Sequence, residues 1–300
     1  MPSEKKIIVR IAEGLGNQLF MYANGLALSK KNQASLYIDN ESGFFKKKNK
    51  LRLRKYYLDI FSTNINICNS IDKFNSYPKD IIRKILKKLD FFRFNKIFLI
   101  EKTINGKSSY KVHNRPFNDK LYVEGHFETE NYFDFLKSHL QSTLLIDETL
   151  IDKNNKFIKL LKSCNSVSIH IRRHRFSEEN NMNKKKSDEF TKKIIEYIFR
   201  SVDYFKNKID NPKFFIWSND FKDLNEYFDN EDFTFIKDND IANDFYLFSL
   251  SKHFIVGAST FHWWGAWLNS NPDKICTRPK DEILNPSNNR DFWPIYWEKI

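Results

Sequence analysis

From Val167 onward, short runs of β-branched and aromatic residues alternate with longer stretches of helical periodicity, and this alternation restricts the fold more than any other feature. Val167 to Ile171, Phe214 to Trp217, Phe233 to Ile236 and Phe254 to Gly257 read as buried strands. Helical patterns cover Ser187 to Phe205 and Ile241 to Ser251, and another opens at Ser259. Such βαβα alternation over about 120 residues predicts a mainly parallel sheet. Sheets of that kind bind ligands outside the carboxyl ends of their strands, so the residues that follow each strand carry the functional information.

Three of those ends are chemically distinctive. The strand Ser166-Val167-Ser168-Ile169-His170-Ile171 runs directly into Arg172 and Arg173, whose planar forks of donors match phosphate oxygens in pairs. On this stretch alone, a surface arginine pair in a basic protein is the more frequent explanation. Ser218-Asn219-Asp220 follows Phe214 to Trp217, and such residues either meet a ligand or start the next helix. Ser259-Thr260-Phe261 opens a helix, where hydroxyls, first-turn amides and the helix dipole favour an anion.

The first half opens as a βαβ unit: a strand over Ile7 to Ile11, a turn Glu13-Gly14-Leu15-Gly16-Asn17-Gln18, a helix to about Lys31, and a strand at Leu36 to Asp39. Gly14 and Gly16 suit a tight turn, although GxG is not completed to a dinucleotide fingerprint. Lys79 to Phe98 is basic and amphipathic. Ile81, Ile82, Ile85, Leu86, Leu89 and Phe92 share one face, which is expected to pack on the core; an anionic membrane surface is the alternative. Tyr122, Glu124, His126, Phe127 and Tyr132 form a polar and aromatic mix suited to sugars, or equally to a half-buried strand. Composition turns polar between Asp147 and Asn155, which places a boundary between domains 1–150 and 151–300.

Composition excludes little more. Three hundred residues suit two domains, and 41% hydrophobic content suits a globular chain. The net charge of +12 suits an acidic partner, though a general richness in lysine and asparagine accounts for part of it. Three dispersed cysteines, no apolar leader and no convincing membrane span lead to the expectation of a cytoplasmic protein.

Taken together, Gly14-Leu15-Gly16-Asn17-Gln18-Leu19-Phe20, Tyr122-Val123-Glu124-Gly125-His126-Phe127, His170-Ile171-Arg172-Arg173, Phe215-Ile216-Trp217-Ser218-Asn219-Asp220 and Ser259-Thr260-Phe261-His262-Trp263-Trp264 resemble the α-1,2-fucosyltransferases of glycosyltransferase family 11 in order and spacing. The resemblance runs from about Ile7 to Trp297. It implies an α/β, GT-B-like architecture of two Rossmann-like domains, with an acceptor side in 1–150 and a GDP-fucose-binding domain in 151–300. It also implies metal-independent, inverting transfer from GDP-β-L-fucose to the 2-hydroxyl of a terminal galactoside, with no nucleic-acid partner. Arg172, Arg173 and His170 become the catalytic candidates. Gly16, Asn17, Gln18, His170, Arg172, Ser218, Asn219, Asp220, His253, Ser259, Thr260 and Phe261 become the donor-binding candidates.

The chain departs from the family at three places. His174-Arg175 stands where Gly-Asp is usual, His262 where serine is usual, and His126 where tyrosine is common. Glu13, Glu124, His126 and Asp220 all have the chemistry of a general base. Two rival readings remain. Asp238-Asn239-Asp240 is a DxD of the kind metal-dependent transferases use, but Asp240 also suits the N-cap of the helix from Ile241. A nucleic-acid-binding protein would use the net charge, yet the lysines are scattered.

Overall fold

The computed structural model describes residues 4–45, 54–91, 97–104, 106–113, 115–173, 184–285, 287 and 289–300. Met1–Leu145 with Ser287–Phe292 forms one compact unit, and Ile146–Pro286 with Trp293–Ile300 forms the other. The sequence reading divides the chain at 150 and keeps the carboxyl-terminal half whole. Local contacts explain the return of the 287–292 segment to unit 1. Ser287 Oγ donates to Glu128, Arg290 N to Ser108 O (3.0 Å) and Tyr110 N to Asp291 Oδ2 (2.8 Å), while Phe292 packs on Phe20.

Unit 1 contains β1 (Lys6–Arg10), α1 (Leu15–Asn32), β2 (Ser35–Asp39), α2 (Tyr77–Phe91), β3 (Phe98–Ile100), β4 (Lys120–Glu124) and α3 (Lys137–Thr143). Its four strands are all parallel, in the order β2-β1-β4-β3. The turn after β1 is sharper than its glycines require: Gly14 is extended, and Glu13 takes the left-handed conformation at φ 66°. A non-glycine residue held there stores strain, and such strain gathers at functional sites.

Helix α2 reverses the packing expected of it. Leu86 joins the cluster of Ile8, Phe98 and Tyr122, but Ile81, Ile82, Ile85 and Leu89 are exposed. The face turned to β4 is ionic. Arg83 Nη1 donates to both oxygens of Glu124 (2.6 and 2.8 Å), Lys87 Nζ donates to Glu124 Oε2 (2.6 Å), and Arg83 Nη2 donates to the buried Asp80 (2.7 Å). A buried carboxylate is stable only when paired, and Glu124 at the end of β4 draws its cations from this helix. Phe92, also expected on the apolar face, lies outside the described residues.

Unit 2 contains α4 (Lys156–Ser163), β5 (Asn165–Ile171), α5 (Lys184–Lys208), β6 (Pro212–Ser218), β7 (Phe233–Phe235), α6 (Ile241–Ser249), β8 (His253–Ile255), α7 (Thr260–Leu268), β9 (Cys276–Arg278) and β10 (Glu298–Lys299). The sheet is parallel throughout, in the order β7-β6-β5-β8-β9-β10. Strand direction alternates the side chains between two layers. Val167, Ile169 and Ile171 pack with Phe190, Ile194 and Ile198 of α5, whereas Ser168 on the other face donates to Phe248 O of α6. Helix α7 is apolar nearly all round and buries Trp263, Trp264 and Trp267 completely, as a helix covered on both sides does. Lys274 caps its carboxyl end, with Nζ donating to Ala266 O at 2.7 Å. Asp240 is the N-cap of α6, as its position suggests, and accepts from Asn243 N at 2.8 Å.

Glu124→Ala tests the ionic anchor of α2. Removing one partner of a buried pair costs about 3 kcal/mol. We expect hydrogen exchange of β4 and α2 to accelerate, while tryptophan fluorescence, whose six residues all lie in unit 2, reports little change. Burial pushes the Glu124 carboxyl up, but hydrogen bonds from Lys87 and Arg83 outweigh it and hold the group below its ordinary value. The stabilisation is therefore complete above about pH 4.3 and disappears as pH falls through the native value. Unchanged exchange in the variant would show that the cluster contributes no net stability.

Candidate active site

In unit 2, β5 is the strand at which the sheet order reverses: β6 and β7 lie to one side, β8, β9 and β10 to the other. The crevice outside the carboxyl ends of β5 and β8 is therefore the topological switch point, where doubly wound sheets bind nucleotides. Arg172 and Arg173 follow β5, and Val256-Gly257-Ala258-Ser259 follows β8 into α7. Gly257 is required there, because a Cβ would lie 2.8 Å from the His170 carbonyl oxygen.

The two arginines have different surroundings. Arg173 is held in place: its N–H donates to Asn219 Oδ1 (2.7 Å), Asn219 Nδ2 donates back to its carbonyl (3.2 Å), and Nη1 donates to Lys222 O and lies 3.7 Å from Asp220 Oδ2. The Ser218 hydroxyl bridges Ile171 O (2.9 Å) and Asp220 O (2.6 Å). Ser218, Asn219 and Asp220 thus join the ends of β5 and β6, and their polar groups have partners inside the protein. Carrying strand alternation one residue past β5 puts Arg172 on the face of His170. Its charge adds to burial in holding the His170 imidazole well below its ordinary value.

Around His170 the structure collects groups that sequence reasoning missed. The ring meets His262 of α7 with centres 3.4 Å apart, and His262 stacks on Phe248 at 4.0 Å. Burial, then the neighbouring His170, drives His262 well below its ordinary value, so both imidazoles are neutral at pH 7. Trp217, paired in register with His170, packs edge-on against Phe248. Phe261 in the first turn of α7 meets Phe245 of α6, and Asp244, the residue before Phe245, approaches the Trp217 indole. Burial raises the Asp244 carboxyl to about 6, against hydrogen bonding from Asn239 and the approach of the Trp217 indole N–H. His170 Nδ1, His262 Nδ1 and Trp217 Nε1 are all buried without a well-formed hydrogen bond. Three such atoms lie together here, where a ligand or water can supply the missing partners. Ser259 is buried and makes no side-chain cap, so α7 begins without its usual hydroxyl acceptor. In sequence, Asp244 resembles any acidic residue in a first helical turn, which the dipole favours.

His253 is a correction. Its register with Val167 places it about 10 Å from His170, toward the amino ends of the strands. There Nδ1 accepts from Ile275 N at 3.1 Å. His174 and Arg175 lie outside the described residues.

Unit 1 has its own switch point, between β1 and β4. Glu13 to Gln18 follow β1 and Gly125 to Phe127 follow β4. Gln18 is fully buried and braces the backbone: Nε2 donates to Glu13 O (2.9 Å) and Lys55 O (2.7 Å), and Oε1 accepts from Tyr57 N (2.9 Å). Gly16 is buried inside α1, while Asn17 keeps part of its surface open. Of the sugar-suited mix, Glu124 is bound to α2, and the buried Tyr122 hydroxyl donates to Asp39. His126 is exposed, and Glu101 accepts from its N–H at 2.7 Å. Among the described residues no three histidine, cysteine or acidic side chains gather as a metal site.

A doubly wound nucleotide-type sheet with arginine and a helix start at its switch point defines a class of enzymes that act on nucleotide-activated substrates. Comparison with known proteins narrows it. The family model for glycosyl transferase family 11 matches residues 4–285. An α-1,2-colitosyltransferase of Escherichia coli is 30% identical over 304 residues, 98% of each chain. The Escherichia coli O-antigen biosynthesis glycosyltransferase WbnK is 29% identical over 289 residues, 90% of this chain and 92% of that protein. A solved structure of NodZ α-1,6-fucosyltransferase soaked with GDP-fucose superposes with a TM-score of 0.52 at 12% identity, covering 92% of this chain and 95% of that one. The fold is GT-B-like, with a parallel α/β sheet in each unit. The chain belongs to glycosyl transferase family 11 and is a glycosyltransferase.

The raised Asp244 carboxyl has a measurable consequence. Between about pH 3.9 and its native value of about 6, the folded protein keeps a proton that the unfolded chain releases, so this group's contribution weakens as pH rises. We expect Asp244→Asn to gain stability relative to wild type by about 3 kcal/mol between pH 4 and pH 8, in urea unfolding followed by tryptophan fluorescence. The neutral histidines act alike in both proteins, so the difference isolates Asp244. A pH-independent difference would refute the assignment.

Proposed function

We propose that the chain transfers L-fucose from GDP-β-L-fucose to the 2-hydroxyl of a terminal galactose in a glycan or surface polysaccharide, with inversion at C1 and without a metal ion. The observation that carries this reading is the convergence of Arg172, the start of α7 and Asp244 at the β5/β8 switch point. The α-1,2 linkage in the name of one relative and the GDP-fucose soaked into NodZ support it.

The acceptor hydroxyl attacks C1 of the donor sugar, the bond from C1 to the β-phosphate oxygen breaks, and GDP leaves with the electron pair. Negative charge grows on the diphosphate as this bond opens. Arg172 and the Ser259, Thr260 and Phe261 amides stabilise that charge, each contribution worth roughly 3 kcal/mol where water is excluded. Arg173, Ser218, Asn219 and Asp220 hold Arg172 in position. Asp244 accepts from the paired N–H donors of guanine, which also compensates its burial, and His170 and His262 line the same pocket as neutral rings. The acceptor proton goes to a general base. Of the candidates Glu13, Glu124, His126 and Asp220, Glu124 is too firmly paired by Arg83 and Lys87 for this role. A peripheral position on the inner face of a membrane belongs to the same reading.

The colitosyltransferase relative favours a second donor, GDP-colitose, on the same site. Release of GDP from each donor, in EDTA and across a panel of β-galactosides, separates the two. We expect acceptor-stimulated turnover of GDP-fucose that survives EDTA and falls by about 10²–10³ in Arg172→Ala. Preference for GDP-colitose would assign the second donor. Turnover that EDTA abolishes, or that Arg172→Ala leaves intact, would overturn the mechanism.

A further inference from the structure

Helix α2 sends its charges inward and its isoleucines outward. Ile82 and Ile85 each keep 52% of their surface in solvent, and Ile81 and Leu89 keep 42% and 43%. At i, i+1, i+4 and i+8 these four side chains fall in one arc about 100° wide. Tyr77 stands at the amino end of the helix, 69% exposed. Lys84, whose Nζ lies 3.3 Å from Asp80 Oδ2, and Lys88 border the arc and are exposed. The turn Ser70–Asp72, joined to the helix by Lys79 Nζ donating to Ser70 O at 2.7 Å, adds exposed Ile71 beside it. The ionic cluster around Glu124 fixes the rotation of the helix, so the stripe cannot turn inward.

We propose that α2 is a membrane-docking element that rests its isoleucine stripe in the surface of an anionic lipid bilayer, with Lys84 and Lys88 at the headgroups. Charge complementarity selects this occupant. An apolar stripe edged by lysine, on a chain of net charge +12, matches a surface that is apolar beneath and negative above. A second copy of the chain is a poor match. A helix of this length presents a strip about 22 Å long and of a few hundred Å², short of the roughly 800 Å² per partner of a stable interface. Two-fold pairing would also set lysines against lysines. No helix among the described residues is long and apolar enough to cross a membrane, so the contact is a surface one. It stands independently of the donor and acceptor assigned above.

Co-sedimentation of the full chain with vesicles tests this. One set holds equal parts of phosphatidylglycerol and phosphatidylethanolamine, and the other phosphatidylcholine alone. We expect wild type to pellet with the anionic set only, and Ile82→Glu with Ile85→Glu to lose about tenfold or more in partitioning. Lys84→Glu with Lys88→Glu should bind more weakly. Turnover of a soluble acceptor by the isoleucine variant should match wild type, which controls for folding. Failure of wild type to pellet, or equal partitioning of the isoleucine variant, overturns the proposal. So does lipid-free self-association that the isoleucine variant abolishes, because a second copy would then cover the stripe.

Discussion

The structure of unit 2 depends on the pairing of β5 along both of its edges. Right-handed crossovers that leave a strand in opposite directions put helices on opposite faces, and here α5 covers Val167, Ile169 and Ile171 while α6 covers Ser168. Connections that leave in opposite directions part at the carboxyl end of the strand and open a crevice. Gly257 keeps that crevice tight, because its missing Cβ lets the β8 loop approach the His170 carbonyl. The position of Arg172 after β5 and the start of α7 after β8 both follow from this pairing.

Much of this was legible from residue pattern. Strands of five to seven residues such as β5 and β6 show their periodicity, and βαβα spacing implies parallel pairing. The two- and three-residue strands β3, β9 and β10 are too short to show any, and each exists by pairing with a parallel partner. The return of Ser287–Phe292 to unit 1 had no signal either, since it rests on a few hydrogen bonds and one aromatic contact.

Helix α2 shows a different limit. An amphipathic pattern says that a helix has two faces, and experience assigns the apolar one to the core. Buried Glu124 reverses that assignment, because an unpaired carboxylate at the end of β4 would cost more than the exposure of a few isoleucines. The deciding residue lies 41 positions from Arg83, so no local window contains the answer. Gln18 is a similar case: its polar amide suggests ligand binding, whereas its partners at Lys55 and Tyr57 come from a loop distant in sequence.

The charges at the β5/β8 crevice are arranged by what has been neutralised. His170 and His262 are kept uncharged by burial, and Arg173 is engaged by Asp220 and the Lys222 carbonyl. Arg172 follows β5 on the His170 face, and its charge helps to keep that imidazole neutral. Asp244 lies on that same face with its carboxyl raised by burial, so hydrogen-bond donation to it favours the ionised form. In the proposed reading a diphosphate meets Arg172 and a donor-rich base edge meets Asp244, so a single guanosine diphosphate would satisfy both demands where an inorganic anion would satisfy only the first.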